Sequence, residues 1–274
     1  MIYFLTFYTE GPEIDGCFDL SESTNQIKNQ LSKYFEEMFF FTKRTLKELP
    51  NSEDFCNEYE EVTELKNAHK LGYFDFKPFL IDYVLSIIPE NSILLYHDAN
   101  FDKYPSYWRT DWENIESVCN TILNDNASDF WVKYELGGCY VKGFVKTYTI
   151  DYFFPVESPE NNIVKNSHLL NASQIILKNT QTTKDLINEW LEYSKNKDLL
   201  KPTPNPNPHP EAKVNGTVDQ DILNCLIYKR IIQKKINNNF PIYGFNWRSI
   251  RMDNYFLLRN EELVEYLDNS ENSK

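Results

Sequence analysis

Ser92-Ile93-Leu94-Leu95-Tyr96 is a short apolar run with no polar alternation, and it leaves the chain few options. It is too short for a buried helix and reads as a strand covered on both faces, as in the interior of an α/β sheet. Upstream, Phe79, Leu80, Tyr83, Val84, Ile87 and Ile88 recur at helical spacing and predict one apolar stripe. Pro78 is expected at the first helical position, where its missing N–H costs nothing, and Pro89-Glu90-Asn91 ends the helix. The strand then breaks into His97-Asp98-Ala99-Asn100. Polar residues at the carboxyl end of a buried strand mark the place where α/β sheets bind ligands.

The same alternation extends along the chain. Ile2–Phe7 predicts a strand running into Glu10-Gly11-Pro12, residues from Thr24 to Glu37 predict a helix, and Met38–Phe41 a second strand. Asp54–Lys66 and Asp111–Leu123 read as helices. Asp129–Tyr134 and Gln174–Leu177 are strand-like, and the latter precedes a helix with Leu186, Ile187, Trp190 and Leu191 on one face. Prolines at 202, 204, 206, 208 and 210 impose a stiff extended loop. A further helix carrying Ile222, Leu223, Leu226 and Ile227 opens at Asp219-Gln220-Asp221. Strands alternating with helices predict one α/β domain over 1–267 with a mainly parallel sheet, and a flexible tail at 268–274.

Composition excludes several classes. Forty-one acidic residues against 28 basic ones give a formal charge of −13, which disfavours nucleic acid as a general partner. No apolar run approaches the length of a transmembrane segment. The N-terminus lacks the basic and long apolar regions of a signal peptide. Five widely spaced cysteines without a CxxC pattern argue against a disulfide framework or zinc knuckle, and suit a reducing, cytoplasmic location. No HExxH, G-x-S-x-G, Walker A or G-x-G-x-x-G is present.

Three clusters can carry chemistry. Asp98 and Asn100, at i and i+2 past a strand end, offer two oxygens to a hard divalent cation; otherwise Asp98 caps the turn and Asn100 takes a left-handed position. Lys77 at the start of the Pro78 helix offers a point charge to a diphosphate, or else is a surface lysine or a partner of Asp75. Asp219-Gln220-Asp221 sits at a helix start, where on helix physics Asp219 reads as an N-cap; the alternative is that Gln220 and one Asp face a reacting sugar.

Taken in order, Gly72-Tyr73-Phe74-Asp75-Phe76-Lys77-Pro78 followed by Ile93-Leu94-Leu95-Tyr96-His97-Asp98-Ala99-Asn100 resembles the WKP and LDAG signature of nucleotide-sugar glycosyltransferases of the GT-A fold, many of them viral or bacterial. Ala172–Thr180 resembles their following strand, and Asp219-Gln220-Asp221-Ile222-Leu223-Asn224 is similar to the DQDILN segment of glycosyltransferase family 8. The resemblance implies a GT-A-type, Rossmann-like mixed sheet and a divalent-metal-dependent enzyme of glycan biosynthesis. Such an enzyme moves a hexose or pentose from a UDP- or GDP-sugar to a glycan or other hydroxyl acceptor. It further implies that Thr6, Phe7 and Tyr8 lie against the nucleoside, with Tyr73 stacking there. Asp98, with Asn100 in place of a second acid, would hold Mn²⁺ or Mg²⁺. Lys77 would lie along the donor cleft and Asp219 and Gln220 near the transferred sugar. Where such enzymes take a further metal ligand from a histidine, either Asn246 substitutes or Arg248 and Arg251 carry part of the diphosphate charge. Family 8 likeness favours retention of anomeric configuration. The expected location is cytoplasmic, including a membrane periphery or the cytoplasm of a virus-infected host cell. The missing second acid at Asn100 keeps open a non-catalytic carbohydrate-binding protein of the same shape, and a nucleotidyltransferase is the other alternative.

Overall fold

The structure is a computed structural model, described over residues 1–10, 19–52, 76–99, 129–134, 139–200, 218–233, 242–244, 265–266 and 269. The expected helices over 54–66 and 111–123, the proline loop and most of the C-terminal tail lie outside these residues, as do Tyr73, Asn100, Asn246, Arg248 and Arg251.

A six-stranded mixed sheet organises the chain, in the order β2-β1-β3-β5-β4-β6. Strand β1 (Ile2–Phe7) is flanked in parallel by β2 (Glu37–Phe41) and β3 (Ile93–His97). Strand β5 (Leu170–Lys178) runs antiparallel to both β3 and β4 (Phe130–Tyr134), and β6 (Ile242–Gly244) closes the far edge parallel to β4. Five of the six strands point the same way, so the sheet is mixed and mainly parallel, as expected, with one strand reversed. That strand is β5, which inserts between β3 and β4 in the opposite sense.

Helix α1 (Ser21–Leu31) makes the β1-to-β2 crossover and buries Thr24, Ile27 and Leu31 at helical spacing. It stops short of the expected Glu37, because Phe35 turns extended to bury its ring and the Glu36 amide is captured by the Ile2 carbonyl at 2.8 Å. A single-turn helix α2 (Lys43–Leu46) follows, closed by a Thr42–Thr45 capping box. Helix α3 (Phe76–Ile87) places Pro78 third in its described span, still inside the first turn, where an N–H has no helical partner to lose. Its carboxyl end is sealed by Asn179, whose side-chain NH₂ lies 3.1, 2.9 and 3.1 Å from the carbonyls of Leu85, Ile88 and Pro89. Asn91 takes the left-handed conformation (φ 62°) in the turn between α3 and β3, a position that asparagine tolerates well.

Between β4 and β5 lie three short helices, α4 (Val141–Phe144), α5 (Thr147–Phe153) and α6 (Pro159–Lys165), none of which stands out in the sequence pattern. Helix α7 (Gln181–Ser194) is capped by Thr180, and α8 (Lys197–Leu200) leads towards α9 (Val218–Ile232). One sheet face packs Leu5, Leu94, Tyr96, Ile175 and Leu177 against α3, α7 and α9. The other packs Phe4, Leu95, Trp131 and Ile176 under α1. All five residues of β3 are buried, as its unbroken apolar run requires.

The chain leaves β1 for β2 on one side and returns to β3 on the other. A crevice opens at such a reversal, outside the carboxyl ends of the two strands. The strand ends at this reversal carry Thr6-Phe7 and His97-Asp98.

Candidate functional site

The site is assembled at that reversal, on the sheet face covered by α3, α7 and α9. Along β3, Tyr96 and Asp98 share a face because strand side chains alternate. The Tyr96 hydroxyl donates to Asp98 Oδ1 at 2.7 Å. Lys77, in the first turn of α3, lies 3.2 Å from the same Oδ1 and 2.9 Å from Asp219 Oδ2. Its Nζ also donates to the Ala172 carbonyl at 3.4 Å and sits 5.7 Å from the Tyr96 ring centroid. Lys77 and Asp219 are buried, while the Asp98 side chain keeps 25% of its surface open. Among the described residues, the side-chain contacts of Asp98 with Tyr96 and Lys77 both fall on Oδ1.

A β-bulge supplies the third wall. Val132 pairs with Ile175, but the next residue, Lys133, pairs with Asn171, so residues 172–174 of β5 leave the β4 ladder. Their backbone groups find partners in the site instead. The Ala172 amide donates to Gln220 Oε1 at 3.0 Å, and the Ser173 carbonyl accepts the Asp98 amide at 2.9 Å. The Ser173 amide turns to Asn171 Oδ1 at 2.8 Å. One turn along α9, Asn224 accepts the Leu170 amide and donates to its carbonyl, both at 2.8 Å. Side chains at i and i+4 of α9 thus stand in for a missing strand, the kind of bulge that re-aims groups next to functional sites.

The electrostatics follow from two carboxylates sharing one ammonium. For Lys77, burial is the largest single influence and pushes its pKa down, but the two acids outweigh it and the net shift is upward. For Asp219, burial dominates and pushes the carboxyl up to about 6, against the pull of Lys77. The cation is over-neutralised and the deeper acid under-neutralised.

Four sequence-selected residues, Lys77, Asp98, Asp219 and Gln220, meet here from three separate segments. Asp219 is not a simple N-cap: it lies second in the described span of α9 and spends its carboxylate on Lys77. Asp221 points elsewhere, accepting the Lys146 amide at 3.0 Å in a buried cluster where the Lys146 ammonium donates to the Leu199 carbonyl. Burial holds the Lys146 pKa down. Thr6 and Phe7 are buried at the carboxyl end of β1. The Thr6 hydroxyl donates to the His97 carbonyl at 2.7 Å, tying β1 to β3, and Phe7 stacks on Phe76 with centroids 4.1 Å apart. Tyr8 is half-buried and donates to Glu10 at 2.9 Å. Tyr96 and the bulge were not foreseen. The tyrosine was readable from its i−2 relation to Asp98, whereas the bulge leaves no trace in the residue pattern.

No family model matches this chain, and no curated protein matches it. Among the described residues no three His, Cys, Asp or Glu side chains cluster as a metal site, and no helix is long and apolar enough to cross a membrane.

Proposed function

We propose that this protein is a GT-A-type glycosyltransferase that moves a sugar from a nucleoside-diphosphate donor to a hydroxyl acceptor, with retention of configuration. The observation that carries the reading is the Asp98–Lys77–Asp219 triad at the strand-order reversal, with the contacts of the partly exposed Asp98 side chain falling on Oδ1. Loss of a nucleoside diphosphate develops negative charge on the leaving group, and preorganised positive charge nearby lowers that barrier.

Each residue has a defined task in this reading. Tyr96 and Lys77 lock one oxygen of Asp98, so the other is presented in a fixed direction. That lone hard oxygen suits Mg²⁺ or Mn²⁺, with Asn100 as the neighbouring ligand; when bound, the ion supplies positive charge opposite the departing diphosphate. Asp219, held by Lys77, keeps a carboxylate against the transferred sugar. Gln220 spends its carbonyl oxygen on the Ala172 amide and keeps its NH₂ for the sugar. The large acidic excess is compatible with an anionic donor only through a bound divalent ion, because Lys77 is already matched by two carboxylates.

The test is a panel of UDP- and GDP-sugars assayed for Mn²⁺-dependent hydrolysis and transfer, with Asp98→Ala alongside. Turnover of one donor that disappears in the variant, while its unfolding temperature stays within a few degrees, supports the reading. Absence of turnover and of nucleotide-induced stabilisation across the panel overturns it.

A further inference from the structure

The opposite face of the sheet, under α1, holds a second set of polar groups at the same strand ends. Register defines it: Thr6 lies one residue beyond the Leu5–Tyr96 pair, level with His97, and His97 pairs with Gln174. Alternation turns these three side chains to the α1 side, away from Lys77 and Asp98. The adjacent rung on that side is apolar, formed by Phe4, Leu95 and Ile176, with Trp131 opposite Ile176.

Three groups here have unspent hydrogen bonds. Gln174 is 1% exposed, and neither its amide oxygen nor its nitrogen finds a partner among the described residues. The Trp131 indole N–H, fully buried on a diagonal neighbour, is equally unmatched, as is the hydroxyl of Thr24. Thr24 lies in the first turn of α1, and the Leu20 amide before that helix bonds the Thr9 carbonyl just past β1 at 2.9 Å, so the turn sits at the strands' carboxyl end. Buried polar groups are nearly always satisfied, and a concentration of exceptions calls for a specific cause. A glutamine amide presents a donor and an acceptor side by side, a pattern matched by the donor–acceptor edge of a heterocyclic base.

We propose that Gln174 is a specificity-determining residue that hydrogen-bonds the base of the nucleotide donor, with Trp131 and Thr24 completing the polar lining. The inference rests on the donor reading above. The donor then straddles the crevice between β1 and β3, with its base on the α1 side and its diphosphate towards Asp98.

The experiment measures calorimetric affinities of UDP, GDP and inorganic pyrophosphate, each with Mn²⁺, for the full chain and for Gln174→Leu and Gln174→Met. The expected result is a loss of about tenfold or more for the nucleotide the protein binds, because a site built to bond a polar group penalises its absence. Pyrophosphate affinity stays unchanged, and neither variant unfolds at a lower temperature, since no internal bond is lost. Equal nucleotide affinity in wild type and variants overturns the inference and leaves the donor reading standing, as does nucleotide affinity no better than that of pyrophosphate. A lowered unfolding temperature in both variants also overturns it, because the amide is then spent within the fold. Failure of the wild type to bind either nucleotide overturns both.

Discussion

Replacing Lys77 by methionine is the sharpest test of the charged cluster. The substitution keeps the length and apolar stem of the side chain but removes the ammonium that lies 2.9 Å from Asp219 and 3.2 Å from Asp98. Asp219 is left buried without a counter-charge, and breaking a buried pair from one side costs about 3–5 kcal/mol. At roughly 2–4 °C per kcal/mol for a domain of this size, unfolding at pH 8 should fall by on the order of 10 °C. The deficit depends on pH with a definite sign. Asp219 already has its folded-state pKa raised from 3.8 to about 6, so its contribution is fully present below about pH 3.8 and lost as pH rises through about 6. That span corresponds to about 3 kcal/mol. Without Lys77 the carboxyl moves higher still, and a protonated acid needs no cation. The Lys77→Met deficit should therefore shrink between pH 8 and pH 5, and the double variant Lys77→Met/Asp219→Asn should recover much of the loss at pH 8. Thermal scans across that range provide the measurement. A variant within 2 °C of wild type at pH 8, or a deficit that grows on acidification, would refute the account.

Three further outcomes follow from the same geometry. Tyr96→Phe removes the 2.7 Å bond to Asp98 and should weaken Mn²⁺-dependent nucleotide binding several-fold, read by calorimetry, while Lys77 still supports the fold. Gln220→Glu keeps the acceptor for the Ala172 amide but loses the NH₂, so it should fold normally and turn over poorly. Gln220→Leu should also lose about 1–3 kcal/mol in denaturant titration by orphaning that buried amide. Asn179→Ala uncovers the carbonyls at the end of α3 and should cost a similar amount, with no change in KM for whichever donor the panel identifies.

Much of the scaffold was legible because one-dimensional rules govern it. The unbroken apolar run at Ile93–Tyr96 is a strand buried on both faces, and the Phe79–Ile88 stripe is the helix that packs beside it. Boundaries were less legible where tertiary forces win. Phe35 ends α1's extension by burying its own ring, a choice made by the core rather than by local propensity. The antiparallel sense of β5 and the helices between β4 and β5 also escape a periodicity reading, since short elements give it too few turns. The site shows the same division. Lys77, Asp98 and Asp219 are recognisable as charged residues at element ends, but their sharing of one ion cluster depends on chain segments 21 and 142 residues apart from Lys77 along the sequence. Sequence spacing carries no information about that convergence.

The stretch of β5 that abandons its neighbour has an architectural consequence. Ala172 and Ser173 are gripped by Gln220, Lys77 and the Asp98 amide, so the frame and the reactive groups are fastened by the same few bonds. Adding or deleting a single residue there would flip the following side chains between the two layers and uncouple α9 from the strand in one stroke. Length at this seam is therefore as tightly constrained by the geometry as the chemistry beside it.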